Sequence, residues 1–149
     1  MFFRTAALAA TFLSLSPLLA GCTGRADDNR VTADEAQPYD GIAANENFYF
    51  GGTEPFWGGE IKGEILTYST PDNVDGTQII AKRFSGMNGL GFSGKLDGQS
   101  FDMAVTEGEC SDGMSDRTYP FTVTLKLGED ILNGCGHSDS NPFTGPENP

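Results

Sequence analysis

The chain has 149 residues, with 21 acidic and 9 basic side chains, a formal net charge of −12, 20 glycines and three cysteines. That balance argues against nucleic acid, whose phosphates need Lys and Arg, and against a polybasic membrane-facing surface. It leaves little for imidazole-based catalysis, because His137 is the only histidine.

Residues 1–21 read as a signal peptide. Arg4 precedes an apolar run from Ala6 to Leu19 and then small residues, too short and too weakly flanked for a spanning helix. The end of this segment, Leu19-Ala20-Gly21-Cys22, resembles the lipobox of bacterial lipoproteins. The resemblance implies cleavage before Cys22, a lipidated thiol (palmitate among the acyl groups) and an acylated amino group. An ordinary signal peptide that happens to contain a cysteine is the alternative. Several acyl chains anchor stably where one binds only marginally. Thr23 follows where the enterobacterial pattern for inner-membrane retention has Asp. The implied address is the bacterial cell envelope, in the outer membrane and facing the periplasm, with Cys22 as the contact to the membrane.

Residues 22–45 are polar and poor in large apolar side chains, so they read as a flexible tether. Residues 46–142 make one small domain, and 143–149 read as a disordered tail. No stretch of the domain has sustained helical periodicity. Phe48 and Phe50 flank Tyr49. Ile61 to Tyr68 reads as a strand, with Ile61 and Ile65 on one face, and Thr77 to Phe84 as another. Leu90, Phe92 and Leu96 share a face, as do Phe101, Met103 and Val105. Asp97-Gly98 sits between two alternating runs, the strongest short hairpin signal. Pro71 to Gly76 reads as a longer turn, and Ser85 to Gly89 as another. Gly63 and Gly94 are candidates for strand bends. About seven strands joined by turns predict an all-β fold: a small antiparallel meander closing into a barrel or tight sandwich.

The densest information lies between Cys110 and Cys135. Phe121, Val123, Leu125 and Leu127 alternate with Thr122, Thr124 and Lys126, the pattern of a half-buried strand. Leu127 to Asp130 is a tight turn, and Ile131 to Asn133 the returning strand. Before them, Ser111 to Thr118 is dense in Ser, Asp and Gly, whose short side chains bond back to nearby backbone. A Cys110–Cys135 disulfide would pin this loop to the end of the hairpin. Closing about 25 residues is worth roughly 3.5 kcal/mol by loop entropy. Two free thiols or half a metal site are the alternatives. Two Cys and His137 leave a zinc site one ligand short, without CxxC or HxxH spacing. The lipobox resemblance favours the disulfide: with Cys22 given to lipid, an even pair remains in an oxidising setting.

Two motifs stand out beyond their composition: Gly51-Gly52-Thr53-Glu54-Pro55-Phe56-Trp57, and Cys110 through Pro120. With Asn133-Gly134-Cys135-Gly136 they resemble a family of small bacterial envelope lipoproteins that carry a GxEPFW segment early and a C-x-DGMSDRxYP segment late. The match covers most of residues 48 to 137. It implies an address but no activity. At the level of fold, that family is similar to c-type lysozyme inhibitors and META-type envelope barrels.

The residues also have their own reading. Trp57, with Phe56, plugs one end of the barrel, or else offers a surface aromatic; Glu54 is a turn or edge carboxylate. Arg117 beside Asp112 and Asp116 clamps the loop, or else presents a cation to a partner's cleft. Tyr119 packs its ring and satisfies its hydroxyl locally. No catalytic constellation is evident: the lipase-type GxSxG elbow is absent, and Ser111 and Ser115 have only His137 as a possible base. Glu107, Glu109, Asp112 and Asp116 lack the spacing of a calcium loop. No metal or other cofactor is expected.

The reading that follows is a non-enzymatic envelope lipoprotein acting as a binding or protective module, with Glu54, Trp57, Asp112, Ser115, Asp116, Arg117 and Tyr119 as candidate binding residues. Its most concrete form is inhibition of a basic lysozyme. Arg117 would meet a catalytic carboxylate while surface acids steer approach. The alternatives are an assembly factor that holds peptidoglycan or another lipoprotein, and a barrel that binds a small ligand or metal.

Overall fold

The structure, a computed structural model, describes residues 37–146. The signal peptide, the lipidation site Cys22, the tether up to residue 36 and the last three residues of the expected tail lie outside the described residues.

Alternation of apolar and polar residues produces nine antiparallel strands and no helix among the described residues: β1 (Asn47–Thr53), β2 (Phe56–Lys62), β3 (Ile65–Thr70), β4 (Asn73–Ile80), β5 (Lys82–Ser85), β6 (Gly89–Leu96), β7 (Gln99–Cys110), β8 (Tyr119–Leu127) and β9 (Asp130–Ser138). The sheet order is β4-β3-β2-β1-β9-β8-β7-β6-β5, a meander whose first and last strands meet as β1 and β9. The expected all-β meander is present, with nine strands in place of seven. One extra strand arises because Ile61–Tyr68 is two strands: Gly63, at φ 63°, turns the chain, so Ile65 faces outward and not with Ile61. The other arises at Ala81, where Thr77–Phe84 changes partners.

That change of partners nearly closes the barrel. Asn73–Ile80 pairs with β3, and Lys82–Ser85 pairs with β6. Between them Ala81 is fully buried and donates its N–H to Glu64 O at 2.8 Å. β6 places Gly94 against this bend, where an added Cβ would lie 2.8 Å from Ile80 O. The glycine therefore gives room for the crossing strand. Gly63, expected as a strand bend, is a turn residue instead.

The tight turns follow their residue types. Asp97 and Gly98 both have positive φ, at 50° and 85°, as a two-residue primed turn requires. Leu127 pairs with Asp130 across Gly128-Glu129. Pro71-Asp72 is likewise a two-residue turn, since Thr70 pairs with Asn73; the longer turn expected to Gly76 is already strand β4.

The core is the inward set of these alternations. Phe121, Val123 and Leu125 of β8, Phe101, Met103 and Val105 of β7, and Leu90, Phe92 and Leu96 of β6 are buried. They meet Phe48, Phe50, Trp57, Ile61 and Leu66 from the other half. Burying each such side chain contributes about 1.5–3 kcal/mol. Phe48 packs edge-on against Phe121 at 5.6 Å, and Gly136 of β9 leaves space for its ring. These side chains fill the barrel interior.

Both chain ends of the domain differ from expectation. The segment expected to be tether up to residue 45 already packs. Ile42 is buried at 1 % exposure, Tyr39 N donates to Gly86 O at 2.7 Å, and the Arg83 guanidinium donates to the carbonyls of Ile42 and Ala43. A lone isoleucine in a polar run barely moves the local composition, yet it caps one end of the core. Residues 143–146, expected as disordered tail, are held by Thr118 and Thr144, whose N–H and C=O groups exchange two hydrogen bonds of 2.9 Å.

Candidate functional site

The two motifs meet on one surface. β7 carries a register shift between Glu107 and Cys110, beyond which its end bends over the sheet. The Cys110–Cys135 disulfide, Cα atoms 5.6 Å apart, ties that end to β9. From there Ser111–Thr118 lies on the outer face of β9 and β1, and Thr53 Oγ1 donates to Asp112 O at 3.1 Å. Thr53 pairs with Phe56, so Glu54 and Pro55 are the turn between β1 and β2, joined by a cis peptide bond.

Asp112 organises the loop. Its Oδ1 accepts from Met114 N at 2.9 Å and Ser115 N at 2.8 Å. Its Oδ2 accepts from Ser115 Oγ at 2.7 Å and, at a longer 3.4 Å, from the Tyr119 hydroxyl. Burial opposes the charge, but these donors outweigh it and hold the carboxyl at about 2, below the ordinary 3.8. Four donors occupy the carboxylate, so Asp112 does not pair with Arg117. Arg117 turns the other way: its Nε donates to Pro146 O at 2.9 Å, and its Cζ lies 4.4 Å above the Phe143 ring. The expected Asp112–Arg117 clamp is therefore two devices, a carboxylate that closes the loop and a guanidinium that holds the C-terminal segment. Asp116 is exposed.

Phe143 completes an aromatic group on the outer face. Tyr49 stacks on His137 at 5.1 Å, His137 meets Phe143 edge-on at 5.1 Å, and Tyr119 packs on Phe143 at 5.6 Å. Burial lowers the His137 pKa below its ordinary value and the Arg117 charge lowers it further, against a small opposing pull from Asp139.

Beside the loop lies an open groove of about 630 Å³. Thr53, Glu54 and Phe56 form one wall, Ser111 to Met114 the other, with Ile131 and Asn133 at the end. Phe56, Met114 and Ile131 expose 53 %, 68 % and 65 % of their surface around it. Trp57 and Phe56 do not plug the barrel together. Neighbours on a strand face opposite ways, so Trp57 is buried in the core and Phe56 stands in solvent. The indole N–H of Trp57 has no hydrogen-bond partner among the described residues.

Of the candidate binding residues, the fold brings Glu54 and Asp112 to the groove and joins Ser115 and Tyr119 to Asp112, while Trp57 is buried in the core and is not part of the groove's lining. Sequence reasoning missed Phe56, Met114 and Ile131 as a set. A signal was available for two of them: Phe56-Trp57 and Ile131-Leu132 are adjacent apolar pairs in alternating strands, and one of each pair must face out. The Ser115 hydroxyl donates to Asp112, and no imidazole is among its partners. Among the described residues no group of three or more His, Cys, Asp or Glu side chains could hold a metal ion. Comparison with protein-family models, curated proteins and solved structures gave no match to this chain.

Proposed function

We propose that this protein is a non-enzymatic binding module of the bacterial cell envelope, anchored through lipid on Cys22, that docks a basic partner protein in the groove between Phe56 and Met114. The observation that carries the reading is three large apolar side chains, Phe56, Met114 and Ile131, left in water along a mostly polar groove whose walls are already fixed. Exposed apolar clusters of this kind favour association, and a pre-ordered surface has less conformational entropy to lose on binding. The net charge of −12 and Glu54 at the wall favour a cationic partner. A lysozyme remains the most concrete such partner. The contact differs from the one first expected, because Arg117 is engaged with Phe143 and Pro146. Phe56, Met114 and Glu54 meet the partner instead.

The test is titration of the mature chain against a panel of lysozymes and other basic proteins, alongside Met114→Glu and Phe56→Ser. Both exposed sites should leave melting within about 0.5 kcal/mol of the parent. Binding should weaken at least about tenfold in each variant. Absence of any interaction at micromolar concentration would sink the reading. Retention by purified sacculi, unaffected by either variant, would favour the peptidoglycan-holding alternative.

A further inference from the structure

A second surface lies on the opposite side of the hairpin that carries Ile131. The strand registers place two outward rows side by side across five strands. One row is Phe84, Gly91, Ala104, Thr124 and Asn133; the other is Lys82, Ser93, Asp102, Lys126 and Ile131. Gly91 and Ala104 give the first row almost no height in the middle. Phe84, 71 % exposed, rises at one end, and Ile131 at the other. The result is an apolar trough of about 330 Å³. It runs across the strands, so four spacings of about 4.8 Å make it roughly 19 Å long. That is the reach of about six extended residues at roughly 3.3 Å each.

Residues 37–146 hold four lysines, and two of them, Lys82 and Lys126, stand on this trough. Asp102 lies between them in the row and offsets part of their charge, leaving a local excess of one positive charge. At the margins Lys95, the next outward residue after Ser93 on β6, offsets Asp130, which adjoins Ile131 on β9, and salt attenuates the pull of more distant acids over about 8 Å. Ser93 and Thr124 add hydroxyls along the floor. A peptide backbone has N–H and C=O groups to offer those hydroxyls, whereas an acyl chain has none.

We propose that the outer face of β5 to β8 is a second docking surface, which takes an extended acidic peptide segment of a partner. Its apolar side chains sit on Gly91 and Ala104 against Phe84, and its carboxylates reach Lys82 and Lys126. This surface stands independently of the Phe56–Met114 groove, apart from sharing Ile131 at its rim.

Two synthetic peptides of equal length test it on the mature chain, one with a Phe-Leu centre flanked by glutamates and one with the same centre flanked by lysines. The glutamate peptide should bind saturably, shift the amide resonances of Gly91 and Ala104, and weaken as salt rises. The double variant Lys82→Glu/Lys126→Glu should reduce its affinity at least about tenfold. Phe84→Ser should do the same without unfolding the protein, because that side chain is exposed. Equal binding of both peptides would overturn the proposal, as would binding that ignores the lysine variants. Self-association abolished by Phe84→Ser, with no peptide binding, would also overturn it and assign the trough to a second copy of the chain.

Discussion

One barrel presents two outer faces that are built differently. Over β1, β9 and the start of β8 the sheet carries a second layer: the Ser111–Thr118 loop, the disulfide and residues 143–146. Over β5 to β8 no second layer lies among the described residues. The outward residues explain the contrast. Beneath the loop they are Tyr49, Gly51, Cys135 and His137, which accept packing or a covalent bond. On the bare face they are Gly91, Ala104, Thr124 and Lys126, which leave a low, partly charged floor. Alternation sets which residues face out, but only their identities decide whether anything lies on top. The covered face has a shape fixed by local chemistry that can be removed, while the bare face depends only on the sheet.

The strongest way to break the comparison is to remove the disulfide. Cys110→Ser/Cys135→Ser should cost about 2–5 kcal/mol. At about 4–8 °C per kcal/mol for a domain of this size, thermal melting should fall by more than about 10 °C. Below the new midpoint the Phe56–Met114 groove should lose its partner, while the trough should still bind the glutamate peptide. Loss of both would mean that the two faces are not independent.

Acid should separate them next. The Asp112 carboxyl is held at about 2 in the folded state against an ordinary 3.8. A depressed carboxyl adds stability that is fully present above the ordinary value and is lost as pH falls through the folded one. Glu46, at the junction of the N-terminal segment with Ser140, is also held at about 2, where hydrogen bonds from Ser140, Ser138 and Ala43 overcome the cost of burial. Stability should therefore decline between about pH 5 and pH 2. Asp112→Asn should cost about 1–3 kcal/mol at neutral pH, because loop donors lose their acceptor charge. It should flatten part of the acid decline and leave the Glu46 part. An unchanged acid profile would show that Asp112 does not hold the loop.

Much of this was legible in the sequence, for definite reasons. The period-2 runs in β6, β7 and β8 named their buried faces correctly, because each strand has one wet and one dry side. Asp97-Gly98 and Gly128-Glu129 marked their turns. The Cys110–Cys135 pair was legible only with the lipobox resemblance, which gave Cys22 to lipid and left an even pair in an oxidising setting. What escaped was whatever depends on distant partners. Thr77 to Phe84 read as one strand but is two, with Ile80 and Phe84 in solvent, since the chain switches neighbours at Ala81 and nothing local records that switch. Arg117 read as the partner of the aspartates beside it. It chose Phe143 and Pro146, which are remote in sequence and lay in a segment that composition marked as tail. Ile42 was hidden in the same way at the other end.

Arg117→Ala gives a smaller effect with two readouts. It removes a cation from the Phe143 face and a hydrogen bond to Pro146, which together should cost about 0.5–1.5 kcal/mol at this partly exposed site. It should also raise the His137 pKa, since the Arg117 charge is one cause of its depression. The value should stay below the ordinary one, because burial is the larger cause. A titration of the His137 ring resonances reads this directly, and a downward shift would contradict the arrangement of the three side chains.

The smallest expected effect is on the bare face, and it is the most discriminating. Phe84→Ser deletes a ring that is 71 % exposed and has Gly91 as its cross-strand neighbour. If nothing covers that ring in the isolated domain, stability should change by no more than about 0.5 kcal/mol. Replacement of Phe121, of the same residue type but buried against Phe48, should cost about 3–5 kcal/mol on truncation to Ala. Urea unfolding of the two variants side by side measures the contrast. A near-zero cost at Phe84 means that the aromatic ring is maintained in water without a folding role, which is what a docking surface requires. A cost of more than about 1 kcal/mol would mean that Phe84 packs across the seam between β4 and β6, and the trough would then be part of the barrel's closure and not a surface kept open for a partner.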